Sequence, residues 1–327
     1  MKMLTLISKI YFLGCWSNIY NKNKNGAPVY HIVFNDIKEK ITQNDVLIIA
    51  GDNYYGPKDP NTKKIKLILE DLEDAFSKIP KRPKVFILLG NHDIDDFPND
   101  YSDENGKQEA PLYNYIKKYA DDPKNNAKLI TFYDELIINN QFAFFFMDLK
   151  LYDHFNYDEK SYPNMYYNLL NNNVKDVVQK MESKLESFLV EHKDKTIFTV
   201  SHYPLVTVIN EMPIDLIVKI TPLGKIYKLL KNHNIPNINH LCADTHYFEN
   251  GNIVFPYDKS VWVNQYIFGT GGAVLDTPMK EPYAIKHRDG DNVAFTYKVV
   301  KNNKSYGYGL IDTIDRTINF IPVEIDH

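Results

Sequence analysis

Arginine is nearly missing from this chain: Arg82, Arg288 and Arg316 are its only examples in 327 residues. Lysine carries almost all the positive charge, and 38 basic residues face 42 acidic ones for a net charge of -4. No strongly basic block stands out, so a surface for a nucleic-acid backbone is not indicated. Cysteine is as scarce. Cys15 and Cys242 cannot build a disulfide framework, and two free thiols is a better reading than one Cys15–Cys242 bridge. No apolar run approaches the length of a membrane span. The apolar stretch within Met1–Leu13 is broken by Ser8 and Lys9 and runs straight into Gly14-Cys15-Trp16, so it reads as a first core strand rather than a signal peptide. A soluble, intracellular protein with no membrane partner is the expectation. No internal repeat or linker divides the sequence, and residues 1–327 read as one domain.

What is present alternates between strand and helix. Ile7–Leu13, Asp45–Ala50 and Lys84–Leu89 are short apolar runs suited to a covered sheet. Between the first two, Val29–Ile41 sets Ile32, Val33, Ile37 and Ile41 on one helical stripe behind Pro28. Lys64–Ile79, Pro111–Tyr119, Val174–His192 and a segment near Lys225–Lys231 also read as helices. Further strands are expected at Phe142–Leu149, Thr196–Val200, Ile238–Cys242, Val261–Phe268, Tyr306–Ile314 and Thr317–Ile325. The last two are joined at Asp315-Arg316 as in a hairpin. This order predicts an α/β fold, an αββα sandwich of two mixed β-sheets flanked by helices.

Five segments that follow apolar runs carry the chemistry: Gly14-Cys15-Trp16, Gly51-Asp52-Asn53-Tyr54-Tyr55, Gly90-Asn91-His92-Asp93, Ser201-His202-Tyr203-Pro204 and Cys242-Ala243-Asp244-Thr245-His246. Loops at one edge of a sheet are where a metal site is assembled. Their thiol, carboxylate, phenol, amide and imidazole groups are all competent ligands. Taken singly, each has a plain alternative. Gly-Asp is a common turn, and a free cysteine is often a small core residue.

In order and residue type the five segments resemble the calcineurin-like metallophosphoesterases, most closely the purple acid phosphatase branch. The resemblance implies two metal ions, of iron, zinc or manganese, and a phosphoesterase acting through an activated hydroxide. It makes Asp52 the bridge, with Tyr55 and His246 on the first metal and Asn91 and His202 on the second. His92 would face the substrate and assist the leaving group, with Asp93 orienting its ring. Two positions depart from the pattern. Cys15 stands where an Asp binds the first metal, and either coordinates as a thiolate or merely fills space. Asp244 stands where a His binds the second, and a carboxylate there favours harder ions. Glu211 occupies the place of a further substrate-side histidine found in some members of that branch. The expected substrate is a phosphorylated small molecule or phosphoprotein, probed first as a monoester. The competing reading is a degenerate relative that keeps the fold and has a binding or structural role.

Overall fold

The structure is a computed structural model, and it describes residues 6–55, 70, 73–79, 82–95, 111–154, 174–209, 215–218, 220–255, 260–278, 283–287 and 294–326. Half of the helix expected at Lys64–Ile79, the position of Glu211 and the Asn-rich stretch 171–173 lie outside the described residues.

One sheet has six strands. β1 (Lys9–Leu13), β2 (Val46–Ala50), β3 (Lys84–Leu88) and β4 (Ala127–Ile130) run parallel. β15 (Gly307–Asp312) and β16 (Thr317–Pro322) add antiparallel beside β1, which ties the end of the chain to its beginning. The second sheet has eight strands. β6 (Phe142–Met147), β7 (Thr196–Val200), β10 (Asn237–Cys242) and β12 (Trp262–Phe268) are parallel. β5 (Tyr133–Ile138) flanks them on one side, and β11 (Phe248–Val254), β14 (Phe295–Asn303) and β13 (Tyr283–His287) on the other. A separate hairpin pairs β8 (Val206–Ile209) with β9 (Asp215–Val218).

Burial shows how the layers stack. Alternate residues of β1 and β2 (Ile10, Phe12, Val46, Ile48) face a core that also holds Phe144, Phe146, Phe198 and Val200 of the other sheet. Phe86 stacks on Phe146 with ring centroids 5.1 Å apart, and Phe12 meets Phe268 at 5.5 Å, joining the sheets across that core. The opposite faces are covered by helices. Tyr11, Leu13, Leu47 and Ile49 pack on α1 (Val29–Lys40) through Val29, Val33 and Ile37. Ala143, Phe145 and Ile197 pack with Met181 and Leu185 from the helix Val174–Glu191, and with Leu223 and Ile226 from the helix Ile220–Asn232. Both faces of β2 and β6 are therefore buried, which is why these strands read as unbroken apolar runs. The architecture is the expected αββα sandwich.

The parallel strands decide where the ligand-bearing loops lie. β1, β2 and β3 share a direction, and so do β7 and β10. The loops leaving their carboxyl ends therefore emerge at common edges of the two sheets.

Candidate metal centre

The loops after β1, β2 and β10 are bent into an uncommon conformation. Cys15 (φ 52°), Asp52 (φ 51°) and Asp244 (φ 64°) lie in the left-handed region, a strained setting that clusters at functional sites. Gly51 (φ 83°) leaves room that no side chain would: a Cβ there would lie 2.6 Å from the amide nitrogen of Gly90 and 2.7 Å from Nδ1 of His202. A Cβ on Gly90 would fall on the carboxylate and backbone of Asp52. The glycines allow three loops to meet around one aspartate.

Asp52 is 1% exposed, and its two oxygens face different groups. On the Oδ2 side the Tyr55 hydroxyl donates at 2.6 Å and Cys15 Sγ lies 3.7 Å away. His246 Nε2 approaches the Tyr55 oxygen to 3.0 Å. One ligand atom from each of Cys15, Asp52 and His246 falls within a 4.8 Å cluster. On the Oδ1 side the His92 backbone N–H donates at 3.1 Å, and His202 Nε2 lies 3.3 Å away. That nitrogen is also 3.0 Å from Oδ1 of Asn91 and 3.6 Å from Oδ1 of Asp244.

The two histidines have their tautomers fixed from behind. Nδ1 of His202 is 2.6 Å from the carbonyl oxygen of Ala50, and Nδ1 of His246 is 2.9 Å from that of Val274. A carbonyl only accepts, so both Nδ1 atoms carry the hydrogen, and in the neutral rings Nε2 presents a lone pair to the cluster. Such a backbone-anchored imidazole is how metal-ligating histidines are usually oriented. Asp276 accepts from the His246 backbone N–H at 2.9 Å and stands 3.7 Å from its Nδ1, fixing that loop further.

Asp93 is the hub behind the centre. Its carboxylate accepts from Gly90 N at 2.8 Å, Asn53 N at 2.8 Å and Asn53 Nδ2 at 2.7 Å, so it clamps the β2 and β3 loops together. Asn53 is itself fully engaged, donating also to the Leu88 carbonyl and accepting from Trp16 Nε1 at 3.2 Å. The His92 ring, half-buried, lies 4.5 Å from that of Tyr55.

The electrostatics of this cluster call for positive charge. Burial, followed by the charge of Asp52, pushes Asp93 up to about 7 against the pull of its donors. Burial disfavours a charged His202, yet Asp52 and Asp244 together outweigh it and raise the ring to about 9. Burial and then the neighbouring Asp52 hold the Cys15 thiol well above its ordinary range. Burial, then Cys15 and Asp52, do the same to the Tyr55 phenol. Oxygens of Asn91, Asp52 and Asp244 lie 3.0, 3.3 and 3.6 Å from His202 Nε2, an arrangement that needs a proton or a cation between them. The donor set and the tautomers fit divalent ions.

All nine residues singled out from the sequence, Cys15, Asp52, Tyr55, Asn91, His92, Asp93, His202, Asp244 and His246, are brought together at this edge. Asp276, the supporting role of Asn53 and the carbonyls of Ala50 and Val274 come from the structure alone. Asp276 sits in an ordinary Leu-Asp-Thr-Pro stretch, and backbone carbonyls leave no trace in sequence. Cys15 and Cys242 are both free and buried, with no bridge between them.

A sequence model of the calcineurin-like phosphoesterases matches residues 9–248. The chain belongs to that family. Among solved structures it is similar to a purple acid phosphatase from yellow lupin (Lupinus luteus) seeds, at 10% identity and a TM-score of 0.55 over 97% of this chain. It spans about half of that protein, 52% of its length. It is also similar to PhoD, at 9% identity and a TM-score of 0.56, over 96% of this chain and 68% of that one. At such identities the likeness is one of fold. No curated protein sequence matches the chain. Among the described residues no helix is long and apolar enough to cross a membrane.

Proposed function

We infer that this protein is a metal-dependent phosphoesterase whose centre is built around Asp52, with phosphate monoesters as the first class to test. The observation that carries this reading is the two-sided environment of Asp52, backed by two imidazoles whose Nδ1–H groups are tied to carbonyls. When bound, two ions would supply the Lewis acidity that activates a water and neutralises charge on the phosphoryl oxygens. Asp52, Cys15, Tyr55 and His246 would hold one, and Asp52, Asn91, His202 and Asp244 the other.

His92 stands on the half-buried rim of the cluster, beside the Tyr55 ring. In this reading it gives its proton to the departing oxygen of the ester. Asp93 acts through position, holding fixed the loop from which His92 projects. The same reading takes residues 1–327 as one working unit, supported by the pairing of β15 with β1. The substrate is a phosphorylated small molecule or a phosphoprotein.

The test is metal analysis of purified protein, then hydrolysis of p-nitrophenyl phosphate and of a diester with iron, zinc or manganese. We expect about two ions per chain, and His92→Ala and Asp52→Asn should each lower turnover by about 100-fold or more. Protein that holds two ions but shows no hydrolysis sensitive to either substitution belongs instead to a degenerate, binding role.

A further inference from the structure

Two side chains set this centre apart from the family pattern, and they lie on opposite sides of Asp52. We propose that Cys15 and Asp244 sort two chemically different ions: a thiophilic divalent ion of the zinc or cadmium class on the Oδ2 side, and a hard ion of the manganese or magnesium class on the Oδ1 side. The proposal rests on the metal-centre reading above and deepens it.

The donor sets differ in kind. The Oδ2 side offers a sulfur, a phenol oxygen and an imidazole nitrogen from Cys15, Tyr55 and His246. The Oδ1 side offers an amide oxygen, an imidazole nitrogen and a second carboxylate from Asn91, His202 and Asp244. Relative to the family pattern, a carboxylate has been lost from the first side and gained on the second. Sulfur ligands select soft and borderline ions, whereas extra carboxylate oxygens favour hard ones.

Cys15 closes the end of the core between the sheets, yet its backbone is left-handed, a costly conformation for a residue with a Cβ. With that backbone Sγ faces the Asp52 carboxylate at 3.7 Å and the Asp244 carbonyl at 3.5 Å. Cys242, by contrast, has Sγ against the Tyr266 carbonyl at 3.5 Å, and it is not part of the Cys15–Asp52–His246 cluster. The chain thus carries an internal control: two buried thiols, one aimed at the centre and one elsewhere. The contact between Cys15 and the backbone of Asp244 also joins the loops bearing the two departures.

Cadmium makes the sorting visible, because a thiolate bound to it adds a charge-transfer absorption in the ultraviolet. Metal-free full-length protein is titrated with Cd²⁺ and then with Mn²⁺, the latter followed by the loss of the free-ion electron paramagnetic resonance signal. We expect the charge-transfer band to saturate at one equivalent, to vanish in Cys15→Ser and to persist in Cys242→Ser. Mn²⁺ should then bind the cadmium-loaded protein, and Asp244→Asn should weaken it by about 10- to 100-fold while leaving the band intact. Cys15→Asp, which restores the family residue, should also remove the band and serves if the serine variant does not fold. Two bound ions with no band, or a band that survives in Cys15→Ser, overturns the sorting and leaves the metal-centre reading standing. Free exchange of Mn²⁺ and Cd²⁺ at both positions does the same. If neither ion binds, both readings fall.

Discussion

His240 shows how a single residue behind the centre governs the loop in front of it. It is fully buried in β10, with Nδ1 2.9 Å from Thr199 Oγ1 and Nε2 3.2 Å from Ser201 Oγ and 3.3 Å from the Tyr203 carbonyl. It therefore braces the residues on either side of His202. Burial holds its pKa down to about 4, against an ordinary 6.5. Between those values the unfolded chain binds the proton and the folded one refuses it. Stability must then fall as pH drops from 6.5 towards 4, by on the order of 3 kcal/mol from this group alone. Asp93 works in the opposite sense. Its carboxyl, raised to about 7, stays protonated in the fold after the unfolded chain has ionised, and its contribution declines as pH rises towards 7. That contribution is common to the wild type and to His240→Gln, so comparing the two isolates the histidine. Urea unfolding at pH 4.5 and 7 should show a smaller acid loss in His240→Gln. Equal losses in the two chains would refute the assignment.

At the scale of elements, the two departures from the family pattern are expected to depend on each other. Cys15→Asp sets a buried carboxylate against Asp52 and beside the Asp244 loop, with no added cation to balance it. In chelator-treated protein that change should lower stability by about 2 kcal/mol. Adding Asp244→His should recover most of the loss. A double-mutant cycle on urea unfolding reads the coupling, and strict additivity would mean that the loops do not sense each other. Elements of this kind were legible where burial is complete. β1, β2, β3 and β7 lie between covered faces, and their apolar runs announce them. The strands that composition conceals sit at or near sheet margins. β11 reads Phe-Glu-Asn-Gly-Asn-Ile-Val, a turn-like composition, yet Gly251 is there because the Tyr297 ring packs against its backbone, beside a register shift. β14 is rich in Lys and Asn and is fixed by pairing on both sides rather than by propensity. The site was legible because each ligand follows one of the fully buried strands. Its supports were not, since Asp276 and the carbonyls of Ala50 and Val274 acquire meaning only when the loops meet.

At the scale of the whole molecule, the two large sheets are sealed by aromatic contacts such as Phe86–Phe146 and Phe12–Phe268, with ligands drawn from both. Cys15, Asp52, Tyr55 and Asn91 come from the six-stranded sheet, and His202, Asp244 and His246 from the eight-stranded one. An ion held at this edge therefore bridges the two layers, and unfolding either layer must release it. Binding to the folded state alone raises stability by about 2.7 kcal/mol at a free concentration 100 times the dissociation constant. For a chain of this length that is a rise in Tm of about 4 °C per ion. Asp52 is shared between the two sides, whereas Cys15 and Asp244 each belong to one. Asp52→Asn should thus abolish the shift given by zinc and the shift given by manganese. Cys15→Ser should remove most of the zinc response and keep the manganese response, and Asp244→Asn should do the reverse. Calorimetry with each ion added to chelator-treated protein makes the comparison. Full shifts with both ions in Asp52→Asn would show that they stabilise the fold from somewhere other than the junction of the two sheets.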